Sequence, residues 1–148
     1  MEIETVKLTD LKEVTILVSD VSDIDVLPLL NPQGKKEYRE RVLPDLTTTF
    51  DSDKFLSIKA VSDGKLVGFA ALCDGNYLTH LFVSKLFQGS GVGGNLLSFL
   101  LKATEANEIS LRSSVTAVSF YNRNGFIATG EEAEFNGIRF VPMTLVRT

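Results

Sequence analysis

Tyr77-Leu78-Thr79-His80-Leu81-Phe82-Val83, a four-residue link, and then Gln88-Gly89-Ser90-Gly91-Val92-Gly93-Gly94 form the stretch on which the fold turns. The first seven residues read as a strand. The glycines open the strongest helical pattern in the chain, from Gly91 to about Ala106, with Val92, Leu96, Leu100 and Ala103 on one stripe and Leu97 and Leu101 beside it. Four glycines at a helix start let the backbone turn several N–H groups toward one point, where the helix terminus adds partial positive charge. Such a loop is an anion cradle that needs no Lys or Arg. The plainer alternative is a tight turn with close packing on the sheet.

Upstream, Phe55 to Val61 and Leu66 to Cys73 are strand-like runs joined by Asp63-Gly64, and Asp74-Gly75-Asn76 turns into Tyr77 to Val83, which predicts a three-strand antiparallel meander. Ile3 to Leu8 alternates as a half-buried strand does, and Thr9-Asp10 offers a cap for a helix through about Val18, followed by an acidic connection. Asn31 to Phe50 reads as a helix broken by Gly34, Pro32 and Pro44. Downstream come a short strand, Ile109 to Leu111, and a helix capped by Ser114 that runs to Asn124. Gly125 ends that helix and Phe126 folds back; two last strands lie near Ile127 to Ala133 and Ile138 to Val146.

Three phosphate-binding readings fit a glycine loop. A Walker loop requires Gly-Lys-Ser/Thr, which Gly94-Asn95-Leu96 fails. The dinucleotide fingerprint is met literally by Gly89, Gly91 and Gly94. It belongs, however, in a parallel βαβ unit with an acidic residue ending the next strand, whereas here the preceding strands form a meander and Glu108 precedes its strand. In the third reading, Gln88, Gly91 and Gly93 match the Arg/Gln-x-x-Gly-x-Gly/Ala signature, and Ala117 to Phe126 carries A-x-x-F-Y-x-K/R-x-G-F. On these segments the chain resembles the Gcn5-related N-acetyltransferase superfamily from about Leu66 to the C-terminus. Ser113-Ser114 and Gly137 to Met143 look like one bacterial branch of it.

The resemblance implies an α/β (α+β) fold in one domain over 1–148, with a mixed, mostly antiparallel sheet of six to seven strands, about four helices, and a splay between strands four and five. It implies acetyl-CoA as the bound acyl donor. Pantetheine would lie along Leu81, Phe82 and Val83, and the pyrophosphate on Gln88, Gly89, Ser90, Gly91, Val92, Gly93 and Gly94. Ser114, which stands where many members carry Asn, would lie beside the cofactor with Phe120, Tyr121 and Arg123. A backbone N–H near Phe82 or Val83 would polarise the thioester.

Two side chains are candidates for proton transfer. The phenol of Tyr121, with a pKa of about 10, is close to an alkyl thiol and suits protonation of the leaving thiolate; its alternative is a place on the buried helix face, four residues after Ala117. His80 suits a base at neutral pH, although strand alternation sets it beside Leu78 and Phe82 on one face, with Thr79, Leu81 and Val83 on the other. Glu131, Glu132 and Glu134 form an acidic group near the amine-side mouth or a merely exposed strand end. Cys73 receives no role.

Composition narrows the rest. One cysteine and one histidine leave no disulfide and no zinc-ligand set, so no metal is expected. No apolar run approaches the ~20 residues of a membrane helix and the first residues lack a signal core, which reads as cytoplasmic and without membrane attachment. The net charge of −4 argues against nucleic acid. Residues 1–75 carry nine basic and fourteen acidic side chains, and residues 76–148 six and five, so a polyanionic ligand suits the second half. The expected activity is acetyl transfer to a small-molecule or peptide amine by a monomer or homodimer. A non-catalytic acyl-CoA-binding module and a nucleotide-binding regulatory domain are the alternatives.

Overall fold

The alternation of the first residues produces a short edge strand, β1 (Glu2–Thr5), in the computed structural model, which describes residues 1–147. After a 3-10 turn, α1 (Leu11–Asp25) runs past the expected end at Val18. Buried Val14, Leu17, Val18, Val21 and Ser22 recur three and four apart, and the supposed acidic connection of Asp20, Asp23 and Asp25 is the outward side of this helix. Asp10 makes no side-chain cap for α1. Its carboxylate accepts from the Lys7 N–H at 2.7 Å and from Lys59 of the sheet at 2.9 Å, which holds its acid below the usual carboxylate range against the cost of burial.

Asn31 to Phe50 is the expected broken helix. Asn31 caps α2 (Pro32–Glu37) by accepting the Gly34 N–H at 2.7 Å. The chain widens into one π turn, Tyr38–Val42, and tightens into a 3-10 segment, Pro44–Phe50. Tyr38 anchors this region, its hydroxyl 2.6 Å from Ser22 Oγ in the interior.

The strands β2 (Phe55–Ser62), β3 (Lys65–Cys73) and β4 (Tyr77–Val83) form the expected meander. Then follow α3 (Val92–Ala103), β5 (Glu108–Ser113), α4 (Val118–Arg123), β6 (Ile127–Ala128), β7 (Ala133–Phe135) and β8 (Ile138–Val146). The sheet order is β1-β2-β3-β4-β5-β8-β6, with β7 also on β8. Eight strands appear because the run from Ile127 to Ala133 is interrupted at Thr129 to Glu132, leaving two short pieces. One core lies under α3 and α4, with Leu78, Leu96, Leu100, Phe126 and Met143 at its centre; the other lies under α1, around Val14, Phe69 and Leu46. A Cβ at Gly68 of β3 would lie 2.8 Å from Leu96 Cδ1, so glycine there lets α3 rest directly on the sheet.

The pairing of β4 with β5 is the one parallel contact among the described residues. It comprises only Tyr77↔Ser110 and Leu78↔Leu111, after which the strands part, giving the expected splay. β4 also carries an irregularity that strict alternation does not anticipate. Ala71 pairs with His80 but Leu72 pairs with Leu78, so Thr79 is an extra, bulged residue. The expected grouping of faces is therefore wrong at one residue: Leu78 joins Leu81 and Val83 against the α3 core, while His80 stays with Phe82 on the α1 side.

Ser114 does not cap α4. The helix begins at Val118 after a turn, and Ser114 Oγ lies 3.3 Å from Thr116 Oγ1 instead. The other end is as expected: Gly125 sits at φ +94°, and the Phe126 N–H returns to the Tyr121 carbonyl at 3.0 Å. Helix α3 stops at Ala103, short of Ala106, where Arg147 donates to the carbonyls of Leu101 (2.6 Å) and Ala106 (2.9 Å). At the β7–β8 turn, Gly137 meets Gly34 of α2 backbone to backbone. A Cβ on Gly34 would overlap the Gly137 carbonyl, and one on Gly137 would lie 2.6 Å from Asn31 Oδ1.

Candidate active site

The glycine loop folds as an open cradle. Gly91 caps α3 at φ +89°, a conformation that side chains resist, and nothing lies within 4 Å of where a Cβ on Gly89, Gly91 or Gly94 would stand. The first intrahelical bond runs from the Asn95 N–H to the Gly91 carbonyl at 3.0 Å, so the N–H groups of Gly91 to Gly94 have no partner within the helix. The side chain of Val92 is buried in the core, and Gly93 abuts the ring of Phe120. Ser90 Oγ donates to the Phe87 carbonyl. Gln88 is occupied as a brace: its amide donates to the Val83 carbonyl at 3.0 Å, and its oxygen accepts from Lys85, which pairs with Asp25 at 2.9 Å. Gln88 therefore ties the cradle to the end of β4 and to α1.

Where β4 and β5 part, a cavity of about 510 Å³ opens toward α1 and α2. Thr79, His80, Leu81, Phe82, Ser114 and Tyr121 line it at the splay. The Tyr121 ring is wedged edge-on against Phe120 (5.2 Å) and Phe126 (5.7 Å). Its hydroxyl has no hydrogen-bond partner among the described residues. Among the described residues no fully enclosed polar side-chain atom is left unpaired, so this hydroxyl keeps some exposure, and the residue that carries it lines the cavity. Burial pushes its pKa well above the ordinary phenol value, which keeps it protonated throughout the working range. Val83, Arg123 and the cradle glycines lie outside the cavity lining; Arg123 is exposed on the last turn of α4.

His80 packs against Phe69 (6.0 Å) and Phe82 (6.2 Å), with Nδ1 2.8 Å from Thr79 Oγ1. Burial lowers its pKa from 6.5 to about 4, only partly opposed by Asp45. The ring is neutral at physiological pH and too weak a base to take a proton efficiently from an alkylammonium. The unfolded chain binds this proton near pH 6.5 and the folded one only near 4, so the stability linked to His80 is complete above pH 6.5 and is lost as pH falls toward 4. Chemical denaturation at pH 7 and pH 4.5 should show a smaller pH-dependent loss for His80→Phe than for the parent. Equal losses would mean that the ring protonates freely in the folded state.

Glu132 is held by Arg139 in a bidentate pair at 2.8 and 2.9 Å, and neither Glu131 nor Glu134 lines the cavity. Burial and the neighbouring Asp74 raise the Cys73 thiol, in keeping with an inert residue. Sequence reasoning missed Tyr38, Asp45 and Arg112, which also line the cavity. Tyr38 recurs with Val42 and Leu46 at fourfold spacing across Pro44, which marks a buried face but no cavity, and Asp45 lies off that stripe in the irregular helical stretch. The alternation of Ile109, Leu111 and Ser113, all buried, did signal that Arg112 points to the opposite side of the sheet.

This geometry defines an α/β protein whose sheet opens beside the glycine-rich head of a helix. A family model described as an acetyltransferase (GNAT) domain matches residues 26–147, and the chain belongs to that family. Among solved structures, a GCN5-related N-acetyltransferase from Rhodopseudomonas palustris superposes with a TM-score of 0.79 at 22% identity, covering 98% of this chain and 94% of the other. The PaiA N-acetyltransferase of Thermoplasma acidophilum, solved with coenzyme A, gives 0.75 at 18% identity and 98% of each chain. An aminoglycoside 6'-N-acetyltransferase, also solved with coenzyme A, gives 0.70 at 15%, covering 99% and 97%. At such identities the likeness is one of fold. No curated protein matches the sequence.

Proposed function

We propose that the chain is an acetyl-CoA-dependent N-acetyltransferase that acts by direct attack of an amine within a ternary complex. The observation that carries this reading is the meeting of three features: an open glycine cradle at the head of α3, a β4 edge released where β5 departs, and the Tyr121 hydroxyl facing that same gap. The cradle fits a pyrophosphate, because its N–H groups are free and its glycines leave room for close approach. The released edge from Thr79 to Val83 fits pantetheine as an added strand. Acetyl-CoA supplies an activated acyl thioester.

On this reading a backbone N–H near Phe82 or Val83 stabilises the charge that develops on the thioester oxygen, and the apolar cavity strengthens that bond by excluding water. Tyr121 holds a proton for the departing sulfur. Its raised pKa makes donation less balanced than from a free phenol, but the same burial raises the pKa of a thiolate formed beside it. His80 serves to shape the cavity, and the amine loses its proton to water.

Coenzyme A should raise the melting temperature at millimolar concentration, whereas NAD and ATP should not, because a ligand that binds the native state stabilises it by mass action. Acetyl-CoA turnover against an amine panel, followed as thiol release, then tests catalysis. A larger shift with NAD would sink the reading. The weakness of His80 as a base favours one alternative, a module that binds acyl-CoA without turnover; thermal stabilisation by coenzyme A with no acetylation across the panel would establish it.

A further inference from the structure

The charges that line the cavity separate into spent and free. Arg139 is bound to Glu132 at 2.8 Å and Arg41 to Glu37 at 3.4 Å. Among the described residues Arg112 has no carboxylate partner and Asp45 no cationic one. The Arg112 guanidinium lies 4.5 Å over the Phe140 ring, which fixes its plane and leaves its N–H edges available. Arg112 stands on β5, the wall that departs from β4 at the splay, two residues before Ser114. Asp45 stands in the 3-10 segment Pro44–Phe50, close enough to His80 for its charge to be felt there.

We propose that Arg112 is the receptor for a carboxylate on the acceptor, and that the acceptor is accordingly an α-amino acid with an apolar side chain. This rests on the transferase reading of the same cavity. Arg112 is exposed at the cavity wall, and a guanidinium held by one face on an aromatic ring with its donors free is complementary to a planar carboxylate. The acceptor's ammonium finds the opposite charge in Asp45 before it loses its proton and attacks. Val18, Leu29, Leu46, Phe82 and Phe135 line the remaining volume and suit an aliphatic or aromatic side chain. A polyamine, by contrast, would bring a second positive charge toward Arg112.

The test pairs each amino acid with its decarboxylated partner: phenylalanine with phenethylamine, and leucine with 3-methylbutylamine. The parent should prefer each amino acid by about 10-fold or more in kcat/KM, mostly through KM, as a charge-assisted pair implies. Arg112→Gln should remove most of that preference and Arg112→Lys should keep part of it; a merely structural arginine would not alter the ratio. Calorimetric titration of N-acetylphenylalanine into the coenzyme A complex reads the same contact without turnover, with melting curves confirming that each variant folds. The proposal is overturned if the parent uses the decarboxylated amines equally well, or if Arg112→Gln leaves the preference intact. If nothing is acetylated but N-acetylphenylalanine binds in an Arg112-dependent way, the carboxylate receptor stands and the transferase reading falls. If there is neither transfer to the amino acids nor binding of N-acetylphenylalanine, the receptor is refuted, whatever other amines the protein acetylates.

Discussion

Tyr121→Phe should lower kcat by about 10²-fold while leaving acetyl-CoA affinity and the melting temperature near those of the parent. The substitution removes one oxygen. The ring keeps its edge-on contacts with Phe120 and Phe126, and the hydroxyl gives up no hydrogen bond within the protein. Packing and chemistry are therefore separable here, as they seldom are for a buried tyrosine. Because burial raises the phenol pKa, the parent's kcat should also show no loss on the alkaline side from ionisation of this group up to the ordinary phenol value near 10. Thiol release, titration of acetyl-CoA and a melt measure all three quantities. A variant that folds, binds and turns over at the parent rate would leave proton delivery to water and make Tyr121 a packing residue.

Gly34→Ala should destabilise the protein although it lies within a helix. Propensity alone predicts a gain of about 1 kcal/mol for this change. The new methyl, however, would occupy the position of the Gly137 carbonyl, and both partners are backbone atoms with no side chain to swing aside. We expect a net loss of about 2–3 kcal/mol, or roughly 5–10 °C in melting temperature for a chain of this size. The same shift should raise the KM of the acceptor more than that of acetyl-CoA, because α2 and the β7–β8 turn bring Tyr38 and Ile138 to the cavity, whereas the cradle lies elsewhere. A melting temperature at or above the parent value would show that α2 and the turn move apart without cost.

The residues that revealed themselves in sequence are those whose role is local. The apolar run of β3, the stripe of α3, the turn pairs Asp63-Gly64 and Asp74-Gly75, and the ending of α4 at Gly125 all follow from interactions within a few residues, and the structure has them where they were expected. The glycine loop at the head of α3 was legible for the same reason. What stayed hidden depends on contacts between distant segments. Helix α1 outruns its expected end because the sheet, which no local pattern describes, offers a surface for Val21, and Tyr38 offers a hydrogen-bond partner for Ser22. Ser114 has a good capping side chain but stands in the turn between β5 and α4, so the helix starts later. The pKa values of Tyr121 and His80 are set by burial among partners from several elements, and the pairing of Gly34 with Gly137 spans most of the chain.

The bulge at Thr79 puts β4 out of phase with itself. Before it, odd-numbered Tyr77 faces away from the α3 core; after it, odd-numbered Leu81 and Val83 face toward that core. Drawing Thr79 into the ladder would flatten the bulge, restore strict alternation by number and rotate one half of the strand by half a turn relative to the other. Either His80 and Phe82 would enter the core beneath α3, or Leu78 would leave it. The strand thus works as a coupling between two independently phased halves, one committed to the core and one to the cavity. Loss of the bulge with Thr79 retained would change the character of the cavity wall more abruptly than any point substitution, whereas deletion of Thr79 would leave both faces as they are.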